Sequence, residues 1–201
     1  MDLSAPLSDV AAGVRGRLLQ HLARLEQPIS RRKLASIAEV APSNATEVLG
    51  ELIVAGIVSE SRAGRASLVE LNPQHLAVPH VLALAGLRGE LIRRLRDRML
   101  TWENLRGAWL FGSVARGDAH AGSDIDVLIV VDDVRAAGLH DQLAQLHADV
   151  LGWTGNELQV VEHSEESWAE LVTARNPLVA EIRDDGVVLV SRTPIAMERA
   201  S

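Results

Sequence analysis

The sequence predicts an α+β protein of two small domains joined by a helical connector. Three observations carry this. Between residues 10 and 71, three runs with apolar residues at helical spacing are followed by a hairpin pattern. Asn72-Pro73 and Val78-Pro79 then bracket a short linker that leads into a long amphipathic helix, 81–102. From residue 106 onward, short β-branched runs alternate with helical ones, an order that suits a small mixed sheet with helices on one face. The expected boundaries are 1–72, 73–105 and 106–201.

In the first domain, Val14, Leu18, Leu19, Leu22 and Leu25 mark one face of a helix over 10–26, and Pro28 stops it. Ser30 caps a short helix, 31–39. Pro42-Ser43-Asn44 reads as a turn, and Asn44 with Glu47 three residues on reads as a capping box. The helix from Ala45 carries Val48, Leu49, Leu52 and Ile53 on one face and ends at Gly56. Ile57–Ser61 and Ala66–Leu71 form two strands around a turn at Ala63-Gly64-Arg65.

Three helices followed by a two-stranded wing resemble the winged helix-turn-helix domains of small regulators, over residues 8–72. The resemblance implies double-stranded DNA as a partner, with the third helix in the major groove and the wing on the backbone or minor groove. The residues that would make these contacts are Ser43, Asn44 and Thr46 on the third helix, Arg31, Arg32 and Lys33 on the helix before it, and Arg62 and Arg65 on the wing. The third helix itself carries no Arg or Lys. So few cations give weak, salt-sensitive binding per protomer, and a homodimer on palindromic sites is expected. An alternative is that this domain serves protein contact, with Arg31-Arg32-Lys33 as a solvated helix face.

On the connector, Leu84, Leu87, Leu91, Ile92 and Leu95 supply an apolar stripe, and Arg88, Arg93, Arg94, Arg96 and Arg98 decorate the rest. Solvent is the default for such a charged face.

The second domain reads as strand 108–111, short helix 113–118, strand 125–131, helix 138–151, strand 157–161, helices 165–175 and 177–183, and a last strand 187–190 after a turn at Asp184-Asp185-Gly186. Its chemistry sits in one stretch, Gly112-Ser113-Val114-Ala115-Arg116-Gly117 followed by Gly122-Ser123-Asp124-Ile125-Asp126. Side chains alternate along a strand, so Asp124 and Asp126 share a face while Ile125 points to the core. Two carboxylates so placed repel one another unless a cation sits between them. A hard divalent ion suits the pair and usually arrives with a nucleotide's phosphates. Gly112-Ser113, directly after an apolar strand, opens a short helix whose backbone N–H groups can face an anion.

Composition narrows the field. The chain has no cysteine, which excludes disulfides, zinc–thiolate sites and thiol nucleophiles. No apolar run reaches the length of a membrane span and no basic-then-apolar leader is present, so no membrane association and a cytoplasmic location are expected. Residues 106–201 carry seven Arg/Lys against sixteen Asp/Glu, which argues against a broad nucleic-acid surface there.

Residues 108–131 resemble the minimal nucleotidyltransferases of the polymerase-β-like superfamily, whose motif is Gly-Ser, a spacer, then Asp-x-Asp on the next strand. The resemblance implies Mg²⁺ or Mn²⁺ held by Asp124 and Asp126, and an NTP, ATP foremost, held by Gly112, Ser113, Arg116 and Ser123. Active members usually add a third carboxylate on the strand after the next helix. Here that strand places Gln159 at the matching position, with Glu157 on the same face as the substitute. Two functions stay open. One is Mg²⁺-dependent transfer of a nucleoside monophosphate to a protein or RNA; the resemblance also implies an antitoxin role against a HEPN-type toxin. The alternative is a winged-helix regulator whose second domain has lost catalysis and serves as a nucleotide sensor or interaction module.

Overall fold

The structure, a computed structural model, describes residues 1–64 and 66–192; Arg65 lies outside the described residues. The chain divides into two compact units, one of Ala5–Leu87 and the other of Met1–Ser4 with residues from Arg88 onward.

The Ala5–Leu87 unit runs α1 (Leu7–Val10), α2 (Val14–Arg24), β1 (Ile29–Ser30), α3 (Arg31–Ile37), α4 (Pro42–Val54), β2 (Val58–Ala63), β3 (Ala66–Leu71) and α5 (Val78–Ala85). β1, β3 and β2 lie in that order in an antiparallel sheet. Leu18 and Leu22 of α2, Leu34 of α3, Leu49 and Leu52 of α4, Val58 and Val69 form its buried core. This is a winged-helix arrangement. Ser30 caps α3 as expected, its hydroxyl accepting from the Lys33 amide at 3.3 Å. The capping box at Asn44 is corrected: α4 starts at Pro42, with Ala41 at its N-cap, so Asn44 lies inside the first turn. Proline at the first helical position presets φ and lacks an N–H that would otherwise go unpaired, and this outweighs the Asn44–Glu47 signal. The first expected helix, 10–26, is shorter and runs Val14–Arg24 as α2, with α1 a separate turn of helix ahead of it.

The other unit runs α6 (Leu87–Met99), β4 (Leu105–Phe111), α7 (Gly112–Arg116), β5 (Ile125–Val131), α8 (Leu139–Thr154), β6 (Leu158–Ser164), α9 (Glu165–Thr173), α10 (Pro177–Asp185) and β7 (Val187–Ser191). The expected single helix 81–102 is two helices, because α5 stops at Gly86, the residue with least to gain from helical backbone. The sheet order is β6-β5-β4-β7, with β5–β6 parallel and the other pairs antiparallel.

Strand alternation sorts the core of this unit into two layers. Ile125, Val127, Ile129 and Val131 join Leu91, Leu95 and Met99 of α6 and Leu143, Leu146 and Val150 of α8. Leu128 and Val130, with Trp109 and Phe111, meet Trp168 of α9 and Val179 and Ile182 of α10. The expectation of helices on one face is therefore corrected: both faces are covered. A strand such as Ile125–Val131, apolar at nearly every position, needs burial on both sides. Leu3 is buried in the first of these layers, and the Ser4 hydroxyl donates to the Ala119 carbonyl.

The connector's arginines are engaged within this unit. Arg93 and Arg94 pair with Glu90, pulling its carboxyl down to about 2, and Arg98 pairs with Asp149 at 2.9 Å. Arg94 also lies over the Trp153 ring, 5.5 Å from its centre. Arg96 donates to the Val188 and Leu189 carbonyls at 2.8 and 3.1 Å and covers part of the β7 sheet edge. Among the described residues no helix is long and apolar enough to cross a membrane.

Candidate functional site

β4 and β5 are registered so that Phe111, the last residue of β4, stands opposite Asp126. The next residue, Gly112, opens α7 with φ +69°. A Cβ there would lie 2.3 Å from Asp126 Oδ2, so only glycine allows the turn to sit against the carboxylate. Ser113 follows, half-buried in the first turn of α7. Gly117 ends the helix in the left-handed conformation, and the amides of Gly117 and Asp118 both donate to the Ser113 carbonyl, at 3.0 and 3.1 Å. Asp124 is exposed at the mouth of β5 and Asp126 is half-buried one step in. Burial first, then the charges of Asp124 and Glu181, push the Asp126 carboxyl above its usual range, while Arg116 pulls the other way. A divalent cation between Asp124 and Asp126 would relieve that cost, so the donor set fits a hard ion. Among the described residues no group of three or more His, Cys, Asp or Glu is arranged to hold a metal, so ligand phosphates and water would complete the shell.

β6 runs parallel to β5, with Gln159 registered on Asp126. The neutral amide therefore stands on the strand beside the carboxylate. Glu157 precedes β6; its carbonyl accepts from the Ile125 amide at 2.8 Å, and its residue is exposed.

The structure treats the other expected site residues differently. Ser123 is buried and its hydroxyl accepts from the His120 amide at 3.0 Å, so it closes the loop before Asp124. Asn156 donates to the Ser123 carbonyl at 2.8 Å and fixes the same loop from below. Arg116 pairs with Asp118 and Glu181, both at 3.3 Å. The Asp118 hydrogen bond and the charges of Asp118, Glu181 and Asp185 hold the Arg116 guanidinium firmly protonated.

Sequence reasoning missed Glu181 and Asn156. The Asn176-Pro177 start of α10 was a legible signal for that helix, and Glu181 sits one turn in; that it faces Arg116 is a tertiary fact. Asn156 follows the left-handed Gly155 that ends α8, a position that otherwise reads as a plain turn.

In the winged-helix unit, Arg31 is not a free cation. Its Nε and Nη2 donate to the two carboxylate oxygens of Glu60 on β2, at 2.7 and 2.8 Å, and the Ser67 hydroxyl donates to the same group. These partners, Arg31 first, hold the Glu60 carboxyl below its usual range. Arg32, Lys33 and Arg62 are exposed, as are Ser43, Asn44 and Thr46 on the first turns of α4. The Thr46 hydroxyl donates back to the Pro42 carbonyl at 2.8 Å, and the Ser43 hydroxyl to Asn44 Oδ1 at 3.4 Å. Arg65 lies outside the described residues.

Residues 92–182 match the family model of a nucleotidyltransferase domain. No curated protein matches the chain. Among solved structures, the chain is similar to a toxin–antitoxin with AMP-PNP at 22% identity, covering 52% of this chain and 73% of that one with a TM-score of 0.34. It is also similar to ZitR of Lactococcus lactis in an apo form, at 21% identity over 47% of this chain and 71% of that one, TM-score 0.35. A third is the transcriptional regulator BldR from Sulfolobus solfataricus, at 24% identity over 51% and 72%, TM-score 0.33.

Proposed function

We propose that the protein is a Mg²⁺-dependent nucleotidyltransferase that transfers a nucleoside monophosphate from an NTP, ATP foremost, to a protein or RNA acceptor. It acts in the cytoplasm as a homodimer whose winged-helix unit binds double-stranded DNA for autoregulation, with a HEPN-type toxin as its protein partner. The observation that carries the enzymatic reading is the seating of Gly112 on Asp126, two residues from Asp124, inside the segment that matches the nucleotidyltransferase domain.

The chemistry follows from the residues. Asp124 and Asp126 hold the metal, which when bound neutralises triphosphate charge and polarises the phosphorus under attack. Gly112 and Ser113 hold phosphate oxygens through backbone N–H groups and the Ser113 hydroxyl. An acceptor hydroxyl attacks the α-phosphate, its P–O bond to the β-phosphate breaks, and pyrophosphate leaves. Gln159 has no basic atom to take the acceptor's proton, and Asp124 and Asp126 are committed to the metal, so Glu157, exposed just before β6, is the carboxylate that would take that proton. Positioning and charge stabilisation supply most of the rate.

A second reading rests on Gln159 itself. With an amide on the strand beside Asp126, the domain keeps nucleotide binding but loses turnover and acts as a sensor for the winged helix. One experiment separates the two. Purified protein is incubated with each labelled NTP, Mg²⁺ or Mn²⁺ and cell lysate, alongside Asp124→Ala/Asp126→Ala. Transfer by the wild type alone supports the enzyme; nucleotide binding without transfer supports the sensor; neither binding nor transfer refutes both.

A further inference from the structure

α7 is too short to satisfy its own backbone. It has five residues, and the amides that follow it, of Gly117 and Asp118, both go to the Ser113 carbonyl. The carbonyls of Val114 and Ala115 thus lack helical partners, and both residues are buried, at 0% and 7% exposure. Arg88, on the first turn of α6, fills that need. Its Nε donates to the Val114 carbonyl at 2.6 Å and its Nη2 donates to the Ala115 carbonyl. Two successive carbonyls taken by one planar fork is a geometry that guanidinium provides and ammonium does not. A cation at the C-terminal end also complements the peptide dipoles of the turn. On its other side α7 is tied to α10 through Arg116 and Glu181. Arg88 precedes the segment that matches the nucleotidyltransferase family, so that match assigns it no role.

We propose that Arg88 is a positioning residue: its fork on the Val114 and Ala115 carbonyls sets α7 so that Gly112 and Ser113 meet both Asp126 and the nucleotide's phosphates. The inference rests on the nucleotide reading above. Gly112 touches the Asp126 carboxylate, so a small drift of α7 separates the phosphate-facing amides from the metal-binding carboxylates. Loss of such positioning weakens nucleotide binding while leaving the sheet intact.

The test uses the full chain, with Mn²⁺·AMP-PNP as the probe. Binding is measured by calorimetry, hydrogen–deuterium exchange is followed over residues 112–118 without nucleotide, and tryptophan-monitored melting controls for folding. Arg88→Lys is expected to melt near the wild type, to exchange faster over 112–118, and to bind the probe about tenfold or more weakly. Arg88→Ala is expected to regain affinity when methylguanidinium is added, a rescue that a merely structural defect does not show. Should Arg88→Ala fail to fold, Arg88→Lys and Arg88→Gln decide the matter. A folded Arg88→Lys with wild-type affinity and exchange overturns the inference alone. A wild type that does not bind Mn²⁺·AMP-PNP overturns the nucleotide reading and this inference with it.

Discussion

Replacing Gly112 with alanine tests the centre of the site, because two costs can be separated. The first is backbone: φ is +69° there, and a non-glycine residue in the left-handed region loses about 1–2 kcal/mol. The second is contact: the new Cβ would lie 2.3 Å from Asp126 Oδ2, so the carboxylate must leave its rotamer, at about 0.5–1.5 kcal/mol. Together they amount to about 1.5–3.5 kcal/mol. The assay is denaturant unfolding followed by tryptophan fluorescence. All four tryptophans, Trp102, Trp109, Trp153 and Trp168, lie in the nucleotidyltransferase-like unit, so the signal reports that unit alone. In an Asp126→Ala background the clashing oxygen is gone, and Gly112→Ala should cost only the backbone share. The difference between backgrounds should be at least about 0.5 kcal/mol. A Gly112→Ala variant of wild-type stability, or one with the same cost in both backgrounds, would refute the close seating of the turn on Asp126.

Other outcomes follow from the same geometry. Asp126→Asn removes a charge that burial, Asp124 and Glu181 all disfavour, so in metal-free buffer it should raise the tryptophan-monitored melting midpoint while abolishing nucleotide-dependent metal binding; a lowered midpoint contradicts the electrostatic account. Arg31→Met breaks a partly exposed two-pronged pair and should lower the melting midpoint of the winged-helix unit in circular-dichroism melts, and less so at high salt; an unchanged midpoint would show that the pair contributes nothing to stability. Arg62→Ala should leave those melts unchanged but lower the salt dependence of duplex binding by about one phosphate contact, which titrations at several salt concentrations would read. His21 has its pKa lowered from 6.5, chiefly by burial and then by the Arg24 charge, with Glu39 opposing. The folded unit therefore binds fewer protons than the unfolded chain, and its stability should fall as pH drops from about 7 through 6.5. His21→Gln should flatten that slope, and an unchanged slope would exonerate His21.

Much of this was legible from residue order, and the limits have physical causes. The Gly112-Ser113 turn and Asp-x-Asp pair are local: strand alternation alone puts Asp124 and Asp126 on one face. The winged-helix order was legible from periodicity, and Ser30 capped its helix as read. The start of α4 was misplaced because two local signals competed and Pro42 won over Asn44. The second helical layer was missed because chain order does not say which face α9 and α10 cover; only the both-sided burial of Val127 and Leu128 reveals it. The winged-helix resemblance implies Arg31 as a ligand contact, and the nucleotidyltransferase resemblance implies Arg116 and Ser123. Their partners Glu60, Glu181 and the His120 amide show how tertiary neighbours claim polar groups that a sequence leaves unassigned.

Leu3 is buried in the sheet's helical layer, and the chain returns to that unit at Arg88. The nucleotidyltransferase-like unit is thus discontinuous in sequence, with the winged helix as an insertion between residues 4 and 88. Dissection at the apparent boundary would mislead. A fragment beginning at Arg88 loses a buried leucine, a deficit of about 2–5 kcal/mol by the usual cost of emptying a leucine site. Its poor behaviour would look like dependence on the winged-helix unit when it reports only a missing piece of its own core. Excising 5–87 and rejoining Ser4 to Arg88 through a flexible linker keeps the core whole, and is the fair comparison for asking what the winged helix contributes.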